Sequence, residues 1–209
     1  NQWLATVADY DYSFLHLPLT ASVLIWVFWK HRDRYLRIRN VLVIITLVGL
    51  IGFWLYPVAP PRLLPGNDFV DTVVLFHTPF ALADPKMASA TNQFAAMPSL
   101  HCAWALWCGL TLFLVARNRY LRAFGIFYPL WTLFVVMGTG NHYLLDCLAG
   151  YACVGIAVLI VSRFGKRNPW AVPEPSTLPA QKSLLSAEKS LARAEESVSD
   201  VSSSAQTTT

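Results

Sequence analysis

The sequence predicts an all-α protein, a polytopic bundle of transmembrane helices with five visible spans, and three observations carry that expectation. Of its 209 residues 55% are hydrophobic and only 13% charged, where a soluble domain carries about 25% charged residues. Apolar runs close to span length recur five times, separated by short Lys/Arg clusters or longer polar loops. Eight Trp, eight Tyr and twelve Phe supply the side chains that gather at membrane interfaces. The net charge of +4 sits in the clusters between runs and not in a basic domain, so membrane lipids are the expected surroundings and nucleic acid is not an expected partner.

Residues 1–13 read as a polar, extracytoplasmic entry segment. They have neither the basic start nor the cleavage site of a signal peptide. The first apolar run, 14–29, ends at Lys30-His31-Arg32-Asp33-Arg34-Tyr35-Leu36-Arg37-Ile38-Arg39, the densest positive cluster. The second, 41–56, ends at Pro57. Residues 58–97 form the longest connection, with a short interfacial helix expected over 72–83. The third run covers 97–116 and is followed by Arg117, Arg119 and Arg122; the fourth covers 124–137. The fifth, 143–161, ends at Arg163, Lys166 and Arg167. A Pro-punctuated linker opens the tail, 168–209, expected to be cytoplasmic and mostly disordered, with a solvated helix over 181–198. The transmembrane domain is therefore set at 14–167.

Basic clusters favour the cytoplasmic side. That rule places 30–39, 117–122 and 163–167 inside, and 58–97 and 138–142 on the opposite face. Five spans leave the first residues outside, and an even count asks for a sixth span upstream. Cys102, Cys108, Cys147 and Cys153 fall as two pairs inside apolar runs, spaced for neither a disulfide framework nor zinc. They read as small buried residues.

The two extracytoplasmic loops carry the chemistry. His142 and Asp146 are four apart, hence one helical turn from each other. A carboxylate beside an imidazole holds one tautomer and leaves the other nitrogen as base or nucleophile. In Met97-Pro98-Ser99-Leu100-His101, Pro98 suits the first turn of a helix, and Ser99 and His101 would share that turn. A helix N-terminus favours anions such as phosphate. The Ser99 hydroxyl and the Arg62 guanidinium add phosphate donors. Two histidines from different helices around an anion cradle suggest phosphoryl transfer, one attacking and the other protonating the leaving group. His16, His31 and His77 have no evident partners and read as structural.

Two of these stretches resemble a known family. Met97-Pro98-Ser99-Leu100-His101 is similar to the second signature of the type 2 phosphatidic acid phosphatase superfamily. Thr139-Gly140-Asn141-His142-Tyr143-Leu144-Leu145-Asp146 resembles the third. Leu100, where phosphatases usually carry Gly, looks more like the branch of inositol phosphorylceramide synthases and their bacterial relatives. The resemblance covers about residues 40–165. It implies a chloroperoxidase/acid-phosphatase-like helical core in a bacterial plasma membrane, with neither cofactor nor metal. His142 would form a phosphohistidine, Asp146 would orient it, and His101 would protonate the leaving group. Arg62 and Ser99 would hold the phosphate. The substrate implied is a lipid phosphate, phosphoinositide or polyprenyl phosphate, with water, inositol or another alcohol as acceptor.

The chain also departs from the family pattern. Leu55 stands seven residues before Arg62 where the first signature has Lys, Leu63 replaces the Pro after that Arg, and Val136 stands where an Arg is usual. Lys86, Asn141 and Thr139 are candidates to replace those cations at the phosphate. Two further readings are a non-catalytic module that binds lipid phosphates, and a metal-dependent hydrolase using His101, His142 and Asp146 as zinc ligands.

Overall fold

The computed structural model describes residues 2–64, 94–165, 167–172, 187–188 and 190. The expected helix over 72–83 and Lys86 lie outside the described residues. The chain divides into two compact units, Asn1–Val172 and Pro173–Thr209. In the second unit the described residues Ala187, Glu188 and Ser190 are helical and exposed.

The first unit is a helical bundle. Helix α1 (Gln2–Tyr10) runs through a π-helical turn (Asp11–Leu15) into α2 (His16–Lys30), and α3 (Arg32–Leu55) follows after a break at His31. Then come a 3₁₀ turn (Pro61–Leu63), α4 (Leu100–Val115), α5 (Arg119–Gly138) and α6 (Leu144–Gly165). Among the described residues, four stretches are long and apolar enough to cross a membrane: Trp3–Lys30, Arg32–Leu55, Arg119–Gly138 and Leu144–Gly165. The remaining expected span, α4, has 16 residues. At about 1.5 Å per residue it falls short of the ~30 Å hydrocarbon layer.

Three sequence readings change. Residues 2–13 are helical and continue the first span, because Trp3, Leu4, Val7 and Ala8 extend its apolar content beyond the few polar side chains. The basic clusters at 30–39 and 117–122 are largely the opening turns of α3 and α5, since Arg and Lys are good helix formers; Asn118 caps α5 by accepting from the Tyr120 N–H at 2.7 Å. Residues 168–172 belong to the bundle unit and not to the tail. Trp170 is buried there, with its indole N–H on Thr111 Oγ1 at 3.2 Å. Arg34 donates to the Trp170 carbonyl, and Arg37 to those of Asn168 and Ala171.

Helix α4 is central, packed against α2, α3, α5 and α6. Lipid tails are as apolar as Leu, so helices in a membrane associate through close packing at small residues. Pro129 cannot donate to the Gly125 carbonyl one turn back, and this carbonyl lies where a Cβ on Gly109 would fall. The α4–α5 crossing is therefore backbone on backbone. Gly49 and Gly52 of α3 likewise take Leu100 and Pro98 against their Cα atoms, and Gly150 of α6 takes the Ser99 carbonyl. Exposed Ile25, Trp29, Trp54, Leu130, Leu159 and Phe164 cover the outside, as a lipid-facing surface requires. The four cysteines are buried and free.

Adjacent helices alternate in direction. The starts of α2, α4 and α6 and the ends of α3 and α5 share one end of the bundle. Among the described residues, Arg62 is the Lys or Arg found at that end, and the other described basic residues lie towards the opposite one.

Candidate active site

The loops on either side of the undescribed 65–93 segment clasp each other. The Val58 N–H donates to the Phe94 carbonyl at 2.7 Å, and the Ala96 N–H donates to the Val58 carbonyl at 3.2 Å. This short parallel bridge holds the Ala96 carbonyl over the start of α6. The loop after α5 turns at Gly140, whose φ of 65° belongs to the left-handed region that glycine enters without a Cβ penalty. The N–H groups of Asn141 and His142 both donate to the Val136 carbonyl, at 3.0 and 3.1 Å. The Arg62 N–H donates to the Gly140 carbonyl at 3.1 Å, which joins the 3₁₀ turn to this loop.

His142 is buried just before α6, and its Nδ1 lies 2.8 Å from the Ala96 carbonyl. A carbonyl only accepts, so the proton is on Nδ1 and Nε2 carries the lone pair. Asp146 does not make this contact. Its Oδ2 is 3.7 Å from Nδ1 and accepts instead from the Tyr143 N–H at 2.8 Å, in the manner of a helix cap. The expected carboxylate–imidazole hydrogen bond is thus replaced by a backbone one, because His142 precedes the helix and is not one turn from Asp146 on it.

Ser99 is the N-cap of α4, its hydroxyl accepting from the Cys102 N–H at 3.3 Å. Pro98 accordingly lies outside the helix, not in its first turn. The Ser99 N–H donates to the Asp146 carbonyl at 2.9 Å, so the two motifs are bolted together through their backbones. His101, in the first turn of α4, has its ring centroid 6.2 Å from that of His142. Both line a cavity of about 320 Å³ whose walls include Tyr12, His16, Phe53 and Leu100.

Of the residues expected at the phosphate, Ser99 and Asn141 are buried and used locally. Asn141 donates its amide N–H to Thr139 Oγ1 at 2.7 Å, and Thr139 donates to the Val135 carbonyl at 2.8 Å. Neither Ser99, Asn141 nor Arg62 is among the described residues that line the cavity; Arg62 is half-buried in the 3₁₀ turn beside Gly140. Val136, at the position of the usual Arg, packs with Cys102 and Cys147. Among the described residues no three His, Cys, Asp or Glu side chains converge as metal ligands.

Sequence reasoning missed His16. It is buried, its Nδ1 is 2.8 Å from the Tyr128 hydroxyl, and its ring lies 4.6 Å from that of His101. Tyr12 stacks on His101 at 4.2 Å and 19°.

Fold and site together define a polytopic helical membrane protein with paired histidines at one end of its bundle. A family model described as the PAP2 superfamily matches residues 1–160; the chain belongs to that superfamily. It is similar to a phosphoinositol dihydroceramide synthase of Bacteroides thetaiotaomicron, 28% identical over 152 residues that cover 60% of this chain and 45% of that protein. The chain thus spans under half of that relative's length. No solved structure matches.

Proposed function

We propose that the protein is an integral membrane enzyme that transfers the phosphoryl centre of a lipid phosphate ester through a phosphohistidine on His142. The observation that carries this reading is the His142 ring, held through Nδ1 by Ala96 with Nε2 left nucleophilic, 6.2 Å centroid to centroid from His101. Nε2 attacks phosphorus, the P–O bond to the leaving alcohol breaks, and His101 supplies the proton that the departing oxygen takes. In the second half, an acceptor hydroxyl gives its proton to His101 and its oxygen attacks phosphorus. The P–N bond breaks and His142 is restored. Arg62 and the first N–H groups of α4 supply positive potential for the phosphate oxygens. Asp146 caps α6 and adds a second, weaker partner for the His142 ring.

The site faces the extracytoplasmic side in this reading, since the opposite end carries the basic residues. The name of the similar Bacteroides protein makes a phosphoinositol lipid the first donor to test and a ceramide-type alcohol the first acceptor. Water as acceptor would give a phosphatase.

The test incubates purified protein in detergent with phosphatidic acid or phosphatidylinositol, with and without a ceramide acceptor, in EDTA. Wild type is compared with His142→Ala and His101→Ala. Chelator-resistant product, lost in both variants, is expected; a new phosphodiester with ceramide identifies a transferase, and free phosphate alone a phosphatase. No turnover by any form overturns the enzymatic reading and leaves a module that binds lipid phosphates. Activity abolished by EDTA and restored by Zn²⁺ overturns the metal-free mechanism.

A further inference from the structure

The π turn Asp11–Leu15 has a local cause. Pro18 sits within the continuous helix, where it cannot donate to the Phe14 carbonyl and its ring crowds that group. A wider turn just before it relieves the crowding, and such π turns are frequent at functional sites. Here the widened turn holds Tyr12, and His16 directly follows it. Their rings lie against His101, at 4.2 Å and 19° for Tyr12 and 4.6 Å and 38° for His16.

His16 is itself fixed. Tyr128 of α5 holds its Nδ1 at 2.8 Å, and Trp104 stacks parallel to it at 5.6 Å and 7°. His16 Nε2 is buried and has no hydrogen-bond partner within the protein, which costs stability. A Phe or Leu would fill the space without that cost. The fold therefore keeps an imidazole against the face of His101 at some expense in stability.

We infer that the first helix belongs to the active site, with Tyr12 in its π turn and His16 directly after that turn forming a two-ring clamp on His101, and with His16 a positioning residue locked by Tyr128. The inference rests on the phosphohistidine reading above. A clamped imidazole presents its free nitrogen to the leaving oxygen along one line. A loose one spends part of its time misdirected, and small misplacements of a catalytic group cost rate steeply.

Leaving-group dependence separates this role from simple packing. An alkoxide needs a proton as it departs, whereas p-nitrophenolate leaves without one. Single-turnover release of the leaving group, which excludes the later attack of the acceptor, is measured with phosphatidic acid and with p-nitrophenyl phosphate. His16→Leu and Tyr128→Phe are each expected to slow the alkyl ester about tenfold or more, and the aryl ester at least fivefold less than that. His101→Ala should show the same selectivity. Equal losses on both esters, or no loss on either, overturn the clamp. If His142→Ala still releases either leaving group, the phosphohistidine reading itself falls and takes this inference with it.

Discussion

The His142 ring is tied to the backbone carbonyl of Ala96 at 2.8 Å, and the protein thereby sets the tautomer of its candidate nucleophile without a carboxylate. Backbone oxygen cannot be protonated or turned around. In serine proteases, exchanging the triad Asp for Asn inverts the imidazole and costs about 10⁴-fold. Here Asp146→Asn leaves the Ala96 contact untouched and keeps an oxygen for the Tyr143 N–H. Its expected cost is about tenfold in turnover, of the order of one charge-assisted contact. Initial rates beside His142→Ala check this, and a loss near 10⁴-fold would assign the tautomer to Asp146.

If Ala96 orients His142, then whatever holds Ala96 matters. Val58 does so from both sides, donating to Phe94 and accepting from Ala96. Val58→Pro removes the donor and loosens the arm. The expected result is a fall in kcat of about tenfold, with a stability loss of about 1 kcal/mol, the worth of one hydrogen bond. Rates and thermal melting on the same preparation separate the two effects.

Much of this was legible in the sequence and some was not, for identifiable reasons. The helices were readable because apolar runs of span length have few alternatives. The His101 and His142 motifs were readable because both sit at helix starts, where a histidine beside Ser or Asp is conspicuous. The orienting group of His142 was not, since a backbone carbonyl carries no residue-type signal. His16 gave no sign because its partners, Tyr128 and His101, come from other helices, Tyr128 being 112 residues away in sequence. Trp170 was hidden by the prolines around it, which read as a linker although its indole fills a socket in the bundle.

That socket leads to a third expectation. Trp170→Ala removes a buried aromatic side chain and its bond to Thr111, at an expected cost of about 3 kcal/mol. Ending the chain at Val172 leaves the bundle unit whole and should leave its melting temperature unchanged. Ending it at Gly165 should lower melting as Trp170→Ala does. Thermal melting in one detergent compares the three.

Two glycines of α6 make a matched pair. A Cβ on Gly150 would fall on the Ser99 carbonyl, whereas one on Gly155 would meet nothing within 4 Å. Gly150→Ala must push apart the starts of α4 and α6, on which His101 and His142 depend. Overpacking of this kind costs about 1–3 kcal/mol, and turnover should drop with it. Gly155→Ala should be neutral or stabilising, since Ala is the better helix former by about 1 kcal/mol. Equal effects from the two would mean that the contact with Ser99 is not what sets the spacing.

Arg62 is the remaining test of the phosphate site. It is joined to the His142 loop through its backbone, by the bond to the Gly140 carbonyl, so replacing its side chain spares that link. Val136, which stands in for the usual second Arg, is packed among Cys102 and Cys147 and offers nothing to a phosphate. The burden of charge at this end therefore falls on Arg62 among the described residues. A hydrogen bond to a charged group is worth about 1.5–3 kcal/mol, so Arg62→Ala should lower kcat/KM by about 10- to 150-fold. Arg62→Lys keeps the charge but loses the planar fork, and should fall between the two. High salt should lower kcat/KM for wild type and Arg62→Lys but not for Arg62→Ala, so that the loss in Arg62→Ala shrinks. If Arg62→Ala binds and turns over a lipid phosphate as wild type does, Arg62 is not the phosphate cation, and Lys86→Ala becomes the next variant to measure.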